Sequence, residues 1–355
     1  MFSRNRFLAI LVIGISAIWL VGFSMADAQQ TPLNPNAKTP APTVTPTPDD
    51  EVIKVDTEVV NVLFTAQDRN RRLLTDLKQG DIRLLEDGKT QEIVAFSRQV
   101  DLPLSLAILI DTSASQERTL PEEKAAAASF LETVMRPAKD EVCIISFTGE
   151  ATLEQGMTNN LSRLRRAVDQ VKFVPPSGYI GGGVMTGTPP IAGDTTAGST
   201  AIWDAIWITS DEILGPAPEK TRRAIILVTD GVNTSGKKKL DDAVAAALRS
   251  EAIIYSVGIG DNFYSGVDRG SLNKVSERTG GRAYFPRDER ELRDAFQQIQ
   301  EEMRSQYLIA YEPANQARDG AYRKIEIELA NQQLQKDKVK VTHRQGYFSK
   351  TSPKK

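Results

Sequence analysis

Five apolar residues, Leu106 to Ile110, run without interruption and then give way to Asp111-Thr112-Ser113-Ala114-Ser115. A short branched run with a polar stop reads as a strand buried on both faces. The same pattern recurs at Glu141–Phe147, Ala224–Thr229 and Ala252–Gly258, with shorter strands expected near Ala151–Leu153 and Arg282–Phe285. Between these runs the apolar period lengthens to that of a helix. Helices are expected from Pro121 to about Arg136, 161–172, 200–214, 239–250, 270–279 and 288–305. Strands alternating with helices predict an α/β fold, a mostly parallel sheet covered on both faces.

The flanks follow a different period. Before residue 100, the β-branched runs at 52–55 and 58–64, the stretch Asp81–Lys89 with its Asp-Gly turn and a run near Glu92–Phe96 read as antiparallel strands. After Ser305, strands are expected at Tyr307–Tyr311, Tyr322–Leu329 and Val339–Thr342; in the second, Ile325, Ile327 and Leu329 alternate with Glu326 and Glu328. Because such fragments seldom stand alone, the tail strands are expected to pair with those before residue 100. The resulting division is 51–100 and 306–349 as one small β-sandwich, 101–305 as an α/β domain set into it, and 350–355 as a tail.

The amino terminus modifies this plan. Arg4 and Arg6 precede an apolar stretch from Phe7 to Phe23, and Ala26-Asp27-Ala28 offers a small-x-small cleavage site. Residues 1–28 read as a signal peptide cut after Ala28, which implies a periplasmic or extracellular protein; the competing reading is an uncleaved membrane anchor. Residues 29–50, rich in Pro and Thr, read as a disordered linker. With a net charge of −2 and no basic run longer than Lys237-Lys238-Lys239, nucleic acid is not an expected partner. The single cysteine, Cys143 in EVCIISF, cannot form an intramolecular disulfide and reads as a core thiol.

Candidate chemistry lies at strand ends, because open α/β sheets bind ligands outside the carboxyl ends of their strands. Three segments are placed there: Asp111-Thr112-Ser113-Ala114-Ser115, Gly198-Ser199-Thr200-Ala201 at a helix start, and Val228-Thr229-Asp230-Gly231-Val232-Asn233. They offer oxygen and no His or Cys, as a hard cation requires. Each alone reads equally as a helix cap or a turn. Among the remaining candidates, Asp204 and Asp211 read as a solvated face, Asp261-Asn262 as a turn bordering the site, and His343 as structural or exposed. Trp203 and Trp207, four apart, read as core packing, and Gly181-Gly182-Gly183 lacks the Lys of a phosphate loop.

Together the three segments resemble the metal-ion-dependent adhesion site of von Willebrand factor type A domains. Asp111, Ser113 and Ser115 match the D-x-S-x-S motif, Thr200 in STAIWDAI its single threonine, and Asp230 in LVTDG its final aspartate. The likeness covers roughly residues 102–305. The flanking LLEDGKTQEIVAF, YRKIEIEL and HRQGYF segments are similar to the secreted bacterial VWFA-related subgroup. One departure is Ser199, where the family often has a second Gly.

The resemblance implies a Rossmann-like fold, with Mg²⁺ or Mn²⁺ held by Asp111, Ser113, Ser115, Thr200 and Asp230, the aspartates acting partly through water. Neutral hydroxyls and two carboxylates leave such an ion electrophilic and open to a partner's Asp or Glu. The expected function is therefore an exported, non-enzymatic adhesion module that captures a protein ligand. Two alternatives stay open. One is a metal-dependent phosphotransferase of haloacid dehalogenase type with Asp111 as nucleophile, although Ser113 stands where that chemistry favours a second Asp. The other is a metal-free assembly scaffold. The Gly/Pro/Thr-rich loop at 175–199 leads into Thr200 and is expected to overhang the open position and select the partner.

Overall fold

The computed structural model describes residues 59–98, 101–175, 199–260 and 266–352, with the backbone of a two-strand hairpin inside the 175–199 loop. The signal peptide expected at 1–28, the linker expected at 29–50, the strand expected at 52–55, nearly all of the 175–199 loop and Asp261-Asn262 lie outside the described residues.

Four strands come first: β1 (Val60–Gln67), β2 (Ile82–Glu86), β3 (Lys89–Gln91) and β4 (Ile93–Arg98). The alternating unit follows with β5 (Leu104–Asp111), α1 (Leu120–Val134), β6 (Glu141–Phe147), β7 (Ala151–Thr158) and α2 (Leu161–Gln170). After the hairpin strands β8 (Tyr179–Ile180) and β9 (Gly183–Val184) come α3 (Ile202–Ile208), β10 (Arg222–Thr229), α4 (Leu240–Arg249) and β11 (Ala252–Gly258). The unit closes with α5 (Arg269–Thr279), β12 (Ala283–Tyr284) and α6 (Glu289–Arg304). The tail holds β13 (Tyr307–Tyr311), β14 (Tyr322–Leu329), α7 (Gln332–Lys336), β15 (Lys340–His343) and β16 (Gly346–Phe348).

The central sheet has six strands in the order β12-β11-β10-β5-β6-β7, all parallel except the edge strand β7. Period-two alternation sorts its side chains between two cores. Leu106, Ile108 and Ile110 of β5 and Ala224, Ile226 and Val228 of β10 pack toward α1, α2 and α6, through Phe130, Leu164 and Phe296. Ala107 and Leu109, with Ile225 and Leu227, face α3, α4 and α5 through Ile206, Val244 and Leu272. Each fully buried Leu or Ile contributes about 1.5–3 kcal/mol. The α/β expectation, a mostly parallel sheet with helices on both faces and antiparallel strands beside it, describes this structure.

Two antiparallel four-stranded sheets, β15-β1-β13-β4 and β16-β14-β2-β3, each combine strands from before and after the alternating unit. Val62 pairs with Ile309 in one and Leu84 with Ile327 in the other, and Phe64, Tyr307 and Tyr311 fill the core they share. Within that core Glu86 accepts hydrogen bonds from Tyr311 Oη (2.6 Å) and Tyr347 Oη (3.0 Å), with Arg323 3.6 Å away. A buried carboxylate needs such partners. His343, partly buried in β15, accepts from the Ile327 N–H at 3.3 Å through Nε2, a structural contact.

Three details differ from the pattern-based expectations. β7 runs on to Thr158, but its half-exposed edge position erases the hydrophobic signal. α3 stops at Ile208 and continues as a π-helical turn, Thr209–Leu214. α7 and β16 are too short for periodicity to announce them.

Candidate functional site

β5 has β6 on one side and β10 on the other, while chain order places β10 well after β6. The strand order therefore reverses across β5 and β10, and the crevice outside their carboxyl ends is the topological switch point where ligands bind open α/β sheets. Asp111 ends β5 and Thr229 ends β10. Their side chains meet: Thr229 Oγ1 donates to Asp111 Oδ2 at 2.5 Å and itself accepts from Gly231 N at 3.1 Å. The other Asp111 oxygen accepts from Ser113 N at 2.9 Å, which folds the chain back so that Ser113 and Ser115 hydroxyls lie 3.2 Å apart. Thr112 is turned away, its hydroxyl donating to Phe147 O at 3.1 Å.

Asp230 joins this group from the next loop. Its carboxylate accepts from the Ser115 hydroxyl and, through Oδ1, from Val232 N at 2.9 Å. Gly231 allows the turn: its φ is +83°, and a Cβ there would lie 2.8 Å from Leu272 Cγ. Thr200 stands just before α3. Its N–H donates to Thr234 Oγ1 at 2.8 Å, and its carbonyl accepts from Thr234 N and Ser235 N at 2.9 and 3.0 Å. The Thr200 segment is thus laced to the loop that follows Asp230. Its side chain is not hydrogen-bonded to the other four candidates.

Asp111 is fully buried, and Asp230 is 4% exposed. Burial pushes the Asp111 carboxyl up to about 7, against hydrogen bonds from Thr229 and Ser113 and with the Asp230 charge adding to the rise. Burial raises Asp230 as well, opposed by its bonds from Ser115 and Val232 N. Among the described residues neither carboxylate makes an ion pair, in contrast to the buried Glu302, which has Arg282 at 2.9 Å, and Glu86. Two buried carboxylates without a countercharge, beside uncharged hydroxyls, fit a hard divalent cation. No cluster of three or more His, Cys, Asp or Glu able to hold a metal occurs among the described residues, so a cation here must draw on Ser and Thr oxygens.

Three residues at or near the site, Thr229, Gln116 and Glu123, are not among the candidates that the sequence pattern marks. Thr229 is the link between β5 and β10. Gln116 and Glu123, buried to 0% and 1% exposure, lie behind it. Glu123 could have been found: it occupies the buried stripe Leu120, Glu123, Ala127, Phe130, Val134 of α1, where a charge is out of place. Asp204, read as a solvated face, instead accepts from Lys237 N (2.9 Å) and Lys238 N (3.1 Å) through Oδ2, pinning the loop after Asn233 to α3. Trp203 is core, whereas Trp207 is half-buried beneath Lys238, whose Nζ lies 3.8 Å from the ring centroid.

Comparison with known proteins identifies the family of the central domain. A von Willebrand factor type A domain model matches residues 106–233, and a second model of the same description matches 191–298. The chain is a von Willebrand factor type A domain protein. Domains of this family commonly mediate metal-dependent protein interaction and are typically non-enzymatic modules. Similar solved structures include the conserved hypothetical protein BatB from Bacteroides thetaiotaomicron, with 18% identity, 56% of this chain and 98% of that chain covered, and a TM-score of 0.43. Proximal thread matrix protein 1 from the mussel byssus, with a zinc-occupied MIDAS motif, shares 16% identity over 61% of this chain and 50% of that one, TM-score 0.45. A von Willebrand factor type A protein from Catenulispora acidiphila shares 12% identity over 84% and 75%, TM-score 0.45. No curated protein matches the chain. No helix among the described residues is long and apolar enough to cross a membrane.

Proposed function

We propose that this protein is an exported, non-enzymatic adhesion module whose central domain, residues 101–305, holds Mg²⁺ or Mn²⁺ and captures a protein ligand through an Asp or Glu. The ligands would be Asp111, Ser113, Ser115, Thr200 and Asp230. Residues 51–100 and 306–349 form the supporting β-sandwich, and residues 1–28 direct export. The observation that carries this reading is the convergence of Asp111, Ser113, Ser115 and Asp230 in one hydrogen-bonded group, buried but for the half-buried Ser115, with no countercharge among the described residues.

A bound cation would supply the missing positive charge and a Lewis-acidic point for a carboxylate. The protein's own residues hold the donors in place. Thr229 and Ser113 N fix both Asp111 oxygens, and Val232 N fixes one oxygen of Asp230. The hydroxyls bring no charge of their own, so the group is not saturated. Immobilised peptides carrying a single Asp or Glu test the reading. Binding in Mg²⁺ should vanish in EDTA and in Asp230→Ala; binding that persists in either rejects carboxylate capture, and turnover of a generic phosphate ester abolished by Asp111→Ala rejects a non-enzymatic role.

A further inference from the structure

A cavity of about 290 Å³ lies at the amino-terminal ends of β10 and β11, remote from the proposed cation site. Arg222, on its wall, begins β10, and Thr229 ends it. The strand has eight residues, so at about 3.3 Å per residue the two lie roughly 23 Å apart. One wall carries Leu248 of α4 and Ile253 of β11; another carries Leu63 of β1 and Leu308 of β13, which stand opposite each other in the strand register. Leu102 extends this apolar lining. The volume falls at the lower end of the range for small-molecule sites, roughly 300–1,000 Å³.

Among these apolar walls the protein buries positive charge that it does not balance. Arg222 and Arg344 both line the cavity and are 7% and 8% exposed. Arg344 has Glu251 at 3.3 Å, but that carboxylate is exposed and also serves the buried Arg223 at 3.9 Å. Arg222 has no carboxylate within ion-pairing distance among the described residues, whereas the buried Arg323 has Glu86. The Arg222 guanidinium donates to Met303 O in the last turn of α6; its other bonds, to Leu102 O at 3.3 Å and Gln306 Oε1 at 3.4 Å, are long. Its Nε–H has no acceptor among the described residues, nor has that of Arg344. Carbonyl oxygens satisfy donors but bring no net charge, so the Arg222 cation stays uncompensated, and such burial is costly. Glu219 and Lys220 also line the cavity, but both are exposed and their charges cancel.

We propose that this cavity binds a small amphipathic carboxylic acid, its carboxylate held by Arg222 and Arg344 and its alkyl chain by Leu63, Leu102, Leu248, Ile253 and Leu308. A guanidinium receives a carboxylate through two parallel N–H bonds, and the ligand brings the negative charge that Glu251 alone does not supply. The alkyl chain covers apolar walls that a bare inorganic anion would leave against water. The site needs no cation and does not rest on the adhesion reading.

Sodium octanoate is the probe. Titrated calorimetrically into the protein in EDTA, it should fill one saturable site per chain. Octan-1-ol keeps the alkyl chain without the charge and should bind at least about tenfold more weakly. Arg222→Met should weaken octanoate by a similar factor while leaving octan-1-ol unaffected. Because that variant also removes the donor to Met303 O, a second one is needed: Leu308→Trp fills the cavity, keeps both guanidiniums and should abolish octanoate binding. No saturable octanoate heat, equal affinities for octanoate and octan-1-ol, or undiminished octanoate binding in either variant, folded by circular dichroism, overturns the proposal. Should Arg222→Met fail to fold, the octan-1-ol comparison and Leu308→Trp decide.

Discussion

Asp111→Asn should make the metal-free protein relatively more stable at alkaline pH. Burial raises the folded-state carboxyl from 3.8 to about 7. The folded protein therefore binds a proton that the unfolded chain has lost, and this carboxyl's contribution to stability declines as pH rises from near 4 to above 7. The shift spans about 3 pH units, equivalent to about 4 kcal/mol when the decline is complete. Part of it has already occurred at pH 5, so the gap between variant and wild type should widen by about 2–3 kcal/mol between pH 5 and pH 8.5. Asparagine carries no titrating group, and its carbonyl can still accept from Ser113 N, the bond now made to Oδ1 at 2.9 Å. Urea unfolding in EDTA at the two pH values measures the gap. Mg²⁺ at a hundred times its Kd should then restore about 2.7 kcal/mol to the wild type and nothing to the variant. A gap that does not change with pH would show that Asp111 is not buried as a strained carboxyl.

Three further outcomes follow from particular contacts. Asp204→Ala removes the acceptor of the Lys237 and Lys238 N–H groups and should cost about 1 kcal/mol, with faster hydrogen exchange at those two amides. Glu302, on α6, accepts from Gln67 Nε2 of β1 (3.0 Å) and Tyr284 Oη (2.8 Å) and pairs with Arg282; Glu302→Ala leaves that guanidinium without its carboxylate and should cost about 3–5 kcal/mol in chemical denaturation. Cys143, buried and pushed up to about 12, should resist iodoacetamide in the folded protein at pH 8 and react fully in urea; rapid labelling of the native state would contradict its placement in the core.

The buried strands were legible because each is an unbroken apolar run ending in polar residues: the expected strand at Glu141–Phe147 is β6 to the residue, and that at Ala252–Gly258 is β11. β14 showed itself through Ile325, Ile327 and Leu329 alternating with Glu326 and Glu328. The candidate site is legible in part for the same reason, since β5 ends at Asp111 and β10 at Thr229. What pattern does not encode is lateral pairing. Nothing in the local sequence of Thr229 says that its hydroxyl reaches Asp111, because that contact depends on β10 lying beside β5. Glu123 was hidden in an acidic first turn that also reads as ordinary helix-dipole complementation. The role of Asp204 is invisible to local pattern because its partners are backbone amides more than thirty residues away, brought close by the turn at Gly236, where a Cβ would lie 2.1 Å from Asp204 Oδ2.

The most direct measurement is calorimetric titration of Mg²⁺ and Mn²⁺ into the wild-type protein and into Asp111→Ala. The account predicts one saturable site per chain for each ion in the wild type and no saturable heat in the variant. Absence of binding in a folded wild type, or equal binding in the two proteins, would contradict it.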